Sequence, residues 1–115
     1  MQKVNFIKKP WGSEEILEKN EYYVVKRLTM NKGHRCSLQF HEFKKETIFV
    51  LEGKLKIYHG LSEDRLEYKN YKAGDFLTIN PKEIHRMEAT ETSVYLESST
   101  PQLDDVIRIV DDYER

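Results

Sequence analysis

Apolar and polar residues alternate with a period of two through much of this chain, in short runs separated by turn residues. Successive side chains on a strand point to opposite faces, so each run predicts a half-buried β-strand. Tyr22 to Met30 is rich in aromatic and β-branched residues. In Cys36 to Glu42, Leu38 and Phe40 alternate with Ser37, Gln39 and His41. Glu46 to Leu51 runs up to Gly53, a residue that tolerates positive φ at a turn. Leu55, Ile57 and His59 then alternate with Lys54, Lys56 and Tyr58, and Ala73-Gly74-Asp75 forms a turn before Phe76 to Ile79. His85 to Thr90 and Ser93 to Ser98 complete the series. Many short strands at close, even spacing predict an all-β sandwich or barrel. Helical periodicity is poor throughout. Leu103 to Tyr113 reads as a short helix, and Val106 to Val110 within it reads equally well as an edge strand.

The 115 residues fit one domain, residues 1–115, large enough to bury an ordinary core without disulfides or a structural metal. A metal site in such a chain is therefore expected to serve function. With 19 basic and 20 acidic residues the net charge is -1, which provides no long-range field for nucleic acid or an anionic membrane. Neither is expected as a partner, and a local basic pocket for one phosphate remains compatible. The single cysteine, Cys36, cannot build a disulfide framework or a zinc–cysteine cluster. Met1 to Pro10 lacks an apolar signal core, and no apolar run approaches the roughly 20 residues that span a bilayer. A cytoplasmic location is expected.

Gln39 and His41, two residues apart, share one strand face. Glu46 follows a short charged hairpin, Glu42 to Lys45, expected to return the chain antiparallel beside them, and His85 opens a later strand. Two imidazoles, a carboxylate and an amide oxygen form a mixed N/O set suited to one divalent ion: Zn or Mn first, with Fe, Co or Ni also compatible. Against this stands the plainer reading, in which a lone His on a β-face is packed or superficial and a Gln is polar surface.

The spacing of these residues resembles the cupin superfamily. Gly33, five residues, Gln39-Phe40-His41, four residues, Glu46, six residues, Gly53 is similar to the first cupin motif, with Gln in place of its first His. Gly74, five residues, Asn80-Pro81-Lys82, two residues, His85 is similar to the second, with Asn80 and Lys82 where Pro and Gly are usual. The resemblance implies a double-stranded β-helix, or jelly-roll barrel, that brings the two motifs together around a metal. A closer likeness runs from about Lys9 to Arg115. Lys9-Pro10-Trp11-Gly12-Ser13, Val25-Lys26-Arg27-Leu28, Ser37-Leu38-Gln39-Phe40-His41 and His85-Arg86-Met87-Glu88 resemble the C-terminal domain of bacterial type II mannose-6-phosphate isomerases. Asp104-Asp105-Val106-Ile107-Arg108, with Asp111, Tyr113 and Arg115, resembles the terminal motif of that family, its most specific part. The guanylyltransferase domain often fused to it is absent from these 115 residues. Departures include Lys44 for Arg, Thr47-Ile48 for His-Trp, a shortened stretch from Ser98 to Leu103 and Glu114 for the final Gly. The metal ligands are kept and the pocket wall is changed.

The resemblance implies interconversion of an aldose and a ketose phosphate, with a metal at the carbonyl and a base at the neighbouring carbon. Glu97 is the candidate base: it shares a strand face with Tyr95, while Val94 and Leu96 share the other. The pattern alone leans toward Glu97 being a solvated outer-face residue. Lys44, from its place in the hairpin, and Arg108, from the terminal motif, are the candidates for binding phosphate at the barrel mouth, and Arg108 is the second catalytic candidate. Arg86 is expected to point away from the pocket, His59 to be a strand-end residue, and His34 to be exposed. Trp11 is expected in the core or the pocket wall, Cys36 buried, and Asp111-Asp112 at a solvated end. Other functions compatible with the fold are a metal-dependent epimerase or oxygenase, or a non-catalytic sugar-binding module. A homodimer paired through edge strands is expected.

Overall fold

The structure, a computed structural model, describes residues 5–102 and 104–113. Leu103 before the terminal motif, Glu114 and Arg115 at its end, and residues 1–4 lie outside the described residues. Eleven strands are described: β1 (Asn5–Lys9), β2 (Gly12–Lys19), β3 (Val24–Met30), β4 (Leu38–Phe40), β5 (Glu46–Glu52), β6 (Lys54–Gly60), β7 (Glu67–Lys72), β8 (Phe76–Ile79), β9 (Ile84–Ala89), β10 (Ser93–Ser99) and β11 (Ile107–Val110). They form two antiparallel sheets, β1-β2-β3-β10-β5-β8 and β11-β4-β9-β6-β7. Consecutive strands cross repeatedly from one sheet to the other, which is the double-stranded β-helix expected from the sequence.

The period-two pattern explains which faces meet. Val24, Leu28 and Met30 of β3 are buried, and Val25, Arg27 and Thr29 between them are less so. Ile48 and Val50, Leu55 and Ile57, Met87 and Ala89, and Tyr95 face them from other strands and close one core with Trp11 and Cys36. Cys36 is as buried as its alternation suggests, and burial pushes its thiol up to about 11, far from a reactive thiolate. The ambiguous end resolves as a strand: β11 pairs antiparallel with β4 at the edge of the second sheet, Arg108 opposite Gln39. β1, β2 and β7 are strands that the alternation did not mark. Among the described residues, no helix is long and apolar enough to cross a membrane.

Two turns shape the barrel. Gly53 has φ 86° between β5 and β6, and a Cβ there would lie 2.4 Å from the Thr92 carbonyl oxygen. Lys82, in the turn before β9, has φ 70°, a left-handed conformation costly to any residue with a Cβ. Its N–H donates to the His41 carbonyl at 2.6 Å, so the turn is tied to the neighbouring strand despite that cost. Lys82→Gly is therefore expected to stabilise the fold by up to about 1 kcal/mol, the relief of strain outweighing the added freedom of the unfolded chain. A thermal melt showing a higher midpoint would bear this out.

Candidate metal centre and cavity

The connection from β4 to β5 differs from the expected hairpin. β4 pairs with β9 and β11, whereas β5 pairs with β10 and β8, so residues 41–45 carry the chain from one sheet to the other. Glu46 consequently faces His41 across the barrel instead of lying beside it in one sheet. Asp105, just before β11, holds the crossing segment in place. Its carboxylate accepts from three successive backbone N–H groups, those of Glu42 (3.1 Å), Phe43 (2.7 Å) and Lys44 (2.9 Å). Slight burial works against the charge, but these donors hold the Asp105 carboxyl below its usual range.

His41, Glu46 and His85 come together from the two sheets, with donor atoms all within 4.8 Å of one another. Glu46 Oε1 lies 3.4 Å from His41 Nε2 and 3.2 Å from His85 Nε2. The far side of each ring is committed: His41 Nδ1 donates to the Asp105 carbonyl at 2.6 Å and His85 Nδ1 to the Glu83 carbonyl at 3.0 Å. Such outer bonds fix the tautomer and leave each Nε2 as a lone-pair donor aimed inward. Both Nε2 atoms and both Glu46 oxygens are buried with no hydrogen-bond partner. Orphaned buried polar atoms are expensive, and a divalent cation satisfies all of them at once. The residues thus fit a metal ion. Gln39 is on the same inner face, opposite His85 in register, and its Oε1 accepts from Ser37 Oγ at 2.7 Å. That oxygen retains a second lone pair.

Glu97 points inward, not to solvent. Its strand neighbours Ser93, Tyr95 and Ser99 are buried with it, so β10 carries this face into the barrel. Burial first, then the Glu46 carboxylate, pushes Glu97 up to about 7, and Lys44 offsets part of this. Lys44 also departs from its expected place at the mouth. It is 4% exposed, and its Nζ sits 3.2 Å from Glu97 Oε1 and 3.4 Å from Glu46 Oε2. Burial alone would lower the Lys44 pKa; the two carboxylates outweigh it and hold the ammonium above its usual range. Lys44 is an internal counter-ion. Glu46 is held well below the usual carboxylate range: burial opposes this, but the neighbouring Glu97 carboxyl, the two imidazoles and the Lys44 ammonium together prevail.

Beside these groups lies a cavity of about 300 Å³, lined in part by Gln39, His41, Lys44, Glu97 and Arg108. Arg108 is exposed on β11, and among the described residues it has no ion-pair partner. Trp11 is both core and cavity wall. Arg86 lies outside the lining and donates to the Cys36 carbonyl. His59 pairs with the Glu83 carboxylate near the end of β6. His34 is less exposed than expected: its Nδ1 is 2.7 Å from the Tyr113 hydroxyl. Asp112 of the acidic end binds Arg35 and Arg86. Three buried polar residues of the cavity escaped the sequence reading. The Tyr95 hydroxyl is buried without a partner, and Glu14 and Lys26 form an ion pair in the wall. The signal for Lys26 was present, since it is in phase with Val24, Leu28 and Met30.

A family model described as mannose-6-phosphate isomerase C-terminal matches residues 1–111. The chain belongs to this family. A curated relative of the chain is a putative mannose-1-phosphate guanylyltransferase of Vibrio cholerae serotype O1, 37% identical over 49 residues. That match covers 43% of this chain and 10% of the relative, so the chain spans a small part of the protein it matches. Among solved structures, KdgF from Halomonas sp. superposes with a TM-score of 0.76 at 17% identity, covering 87% of this chain and 90% of that one. A Klebsiella pneumoniae protein with a double-stranded β-helix domain gives 0.71 at 16% identity, over 83% and 81% of the two chains. Oxalate decarboxylase of Bacillus subtilis, studied for its Mn(II) centres, gives 0.78 at 20% identity, over 90% of this chain and 29% of that one. These three likenesses are of fold.

Metal binding should depend on pH. In the metal-free site, burial would lower the His41 pKa, but the Glu46 carboxylate and the Asp105 carbonyl outweigh it and raise the pKa above the ordinary 6.5. A metal needs neutral imidazole, so protons compete with it at higher pH than for an isolated His. Zinc affinity is expected to climb from about pH 6 to pH 8, with protons released on binding. Titration calorimetry in buffers of different ionisation enthalpy measures both.

Proposed function

We propose that this domain is a metal-dependent sugar-phosphate isomerase that interconverts an aldose phosphate and a ketose phosphate of the mannose 6-phosphate and fructose 6-phosphate type. The observation that carries the reading is the set of four buried donor atoms of His41, Glu46 and His85, none of them hydrogen-bonded, beside a cavity lined by His41 and Glu97. His41, Glu46 and His85 would hold one divalent ion, with Gln39 as a fourth donor. Zn or Mn suits the mixed N/O set, as do Fe, Co and Ni. When bound, the ion would supply Lewis acidity toward the sugar's carbonyl and adjacent hydroxyl.

The protein's own groups do the rest. Glu97 takes the proton from the carbon bearing that hydroxyl and returns it to the former carbonyl carbon. The hydroxyl proton moves to the other oxygen, so the sugar is isomerised with no net gain or loss of atoms. Lys44 holds Glu97 in place through Oε1 and balances the negative charge of the two carboxylates. Arg108, free of ion pairs among the described residues, binds the phosphate. The family match supports this reading.

The test is anaerobic incubation of zinc- or manganese-loaded protein with mannose 6-phosphate, followed by NMR for fructose 6-phosphate, with His41→Ala as control. Metal-dependent turnover absent from the control supports the isomerase. Stoichiometric metal without turnover would overturn it in favour of a different sugar or a binding role, and oxygen-dependent consumption would favour an oxygenase.

A further inference from the structure

We propose that the Glu14–Lys26 ion pair is a hydroxyl-recognising subsite that selects a polyol ligand for the cavity; this deepens, and rests on, the sugar-phosphate reading. Glu14 on β2 and Lys26 on β3 are diagonal neighbours on the inner face of the first sheet. Lys26 Nζ lies 3.1 Å from Glu14 Oε1, and each side chain is only 10% exposed. Both line the cavity.

The position argues against a structural purpose. Removing two charges from water costs about as much as their attraction returns, and a well-packed apolar pair in the same place is often as stable or more so. The local sequence is suited to that solution: Ile16 is the register partner of Lys26, and Leu28 that of Glu14. The pair also retains capacity. Lys26 has three donors, and one is used; no hydrogen bond to Glu14 Oε2 is found among the described residues. One sugar hydroxyl can accept from Lys26 and donate to Glu14 at once. A phosphate cannot, because the Glu14 carboxylate repels it.

The pair therefore sorts the cavity by chemistry. The anionic end of a ligand belongs with Arg108 and Lys9, two lining cations without ion pairs among the described residues. Lys26 is directly opposite Glu97 in the β3–β10 register, so a hydroxyl held by the pair lies next to the group that moves the proton. Glu14 and Lys26 thus determine which hydroxyl pattern is presented to Glu97.

The test compares wild type with the double variant Glu14→Leu/Lys26→Met. The variant is expected to melt at the same or a higher temperature and to bind zinc and inorganic phosphate as before. Its affinity for mannose 6-phosphate should fall by at least about a hundredfold, because a site built to pair a hydroxyl discriminates strongly on it. A large drop in melting temperature would make the pair structural and overturn the proposal, as would unchanged mannose 6-phosphate binding. If the wild type does not bind mannose 6-phosphate, ligand-observed NMR with a panel of neutral hexoses and pentitols decides. Binding of any of them that vanishes in the variant supports the subsite, and no binding by the wild type overturns it. Pair-dependent binding without turnover would sink the isomerase and leave the subsite standing.

Discussion

Glu46→Gln should lower affinity for a divalent metal by at least about a hundredfold while leaving the barrel folded. Glu46 is the single anion among the three clustered donors, and it is 1% exposed. The amide has nearly the same shape, so packing is preserved and the change is one of charge. That change acts twice. It removes the attraction between carboxylate and cation, and it leaves the Lys44 ammonium, 3.4 Å from the altered group, balanced by Glu97 alone. Unit charges about 4 Å apart interact by about 4 kcal/mol at an effective dielectric near 20, or close to a thousandfold in binding. Titration calorimetry, with circular dichroism as the check on folding, measures the effect. Tight stoichiometric binding by the variant would remove Glu46 from the ligand set.

Glu97→Gln should act on the other half of the site, slowing mannose 6-phosphate turnover by about 10² to 10⁴ with metal content unchanged. The glutamine oxygen still accepts from Lys44, so the internal counter-ion stays in place. What is lost is the ability to take up a proton inside the cavity. The decline should fall on kcat more than on KM, because Glu97 is assigned to the chemical step. A variant that turned over at the wild-type rate would exclude Glu97 as the base. Together the two substitutions separate binding of the ion from movement of the proton, although their side chains share one lysine.

Part of this arrangement could be read from the sequence. Alternation puts Gln39 and His41 on one strand face, but motif spacing with Glu46 and His85 marked that face as the interior; Cys36, in phase with Leu38 on the other side, is buried as an apolar residue. Glu97 could not be placed that way. Both faces of β10 carry apolar residues, and only the pairing of β10 between β3 and β5 makes one of them the interior. Glu46 was identified by motif spacing, but its route was misread, since local sequence does not show that residues 41–45 cross between sheets. The Ile107-Arg108-Ile109-Val110 run is too short for periodicity to distinguish strand from helix, and pairing with β4 decides it. Glu14 and Lys26 were passed over because charged residues on β-strands usually face water. The burial of the apolar residues in phase with Lys26 pointed the other way.

The clasp of Asp105 on residues 42–44 and on the His41 ring has a consequence for the order of assembly. Every clustered metal donor is synthesised by residue 85, yet one of them takes its orientation from a carbonyl twenty residues later in the chain. A nascent chain that has exposed β1 to β10 possesses the donors but has not yet fixed His41 or the crossing segment. An ion held by these donors would therefore be retained only once the last strand has docked, by the finished barrel and by no earlier intermediate.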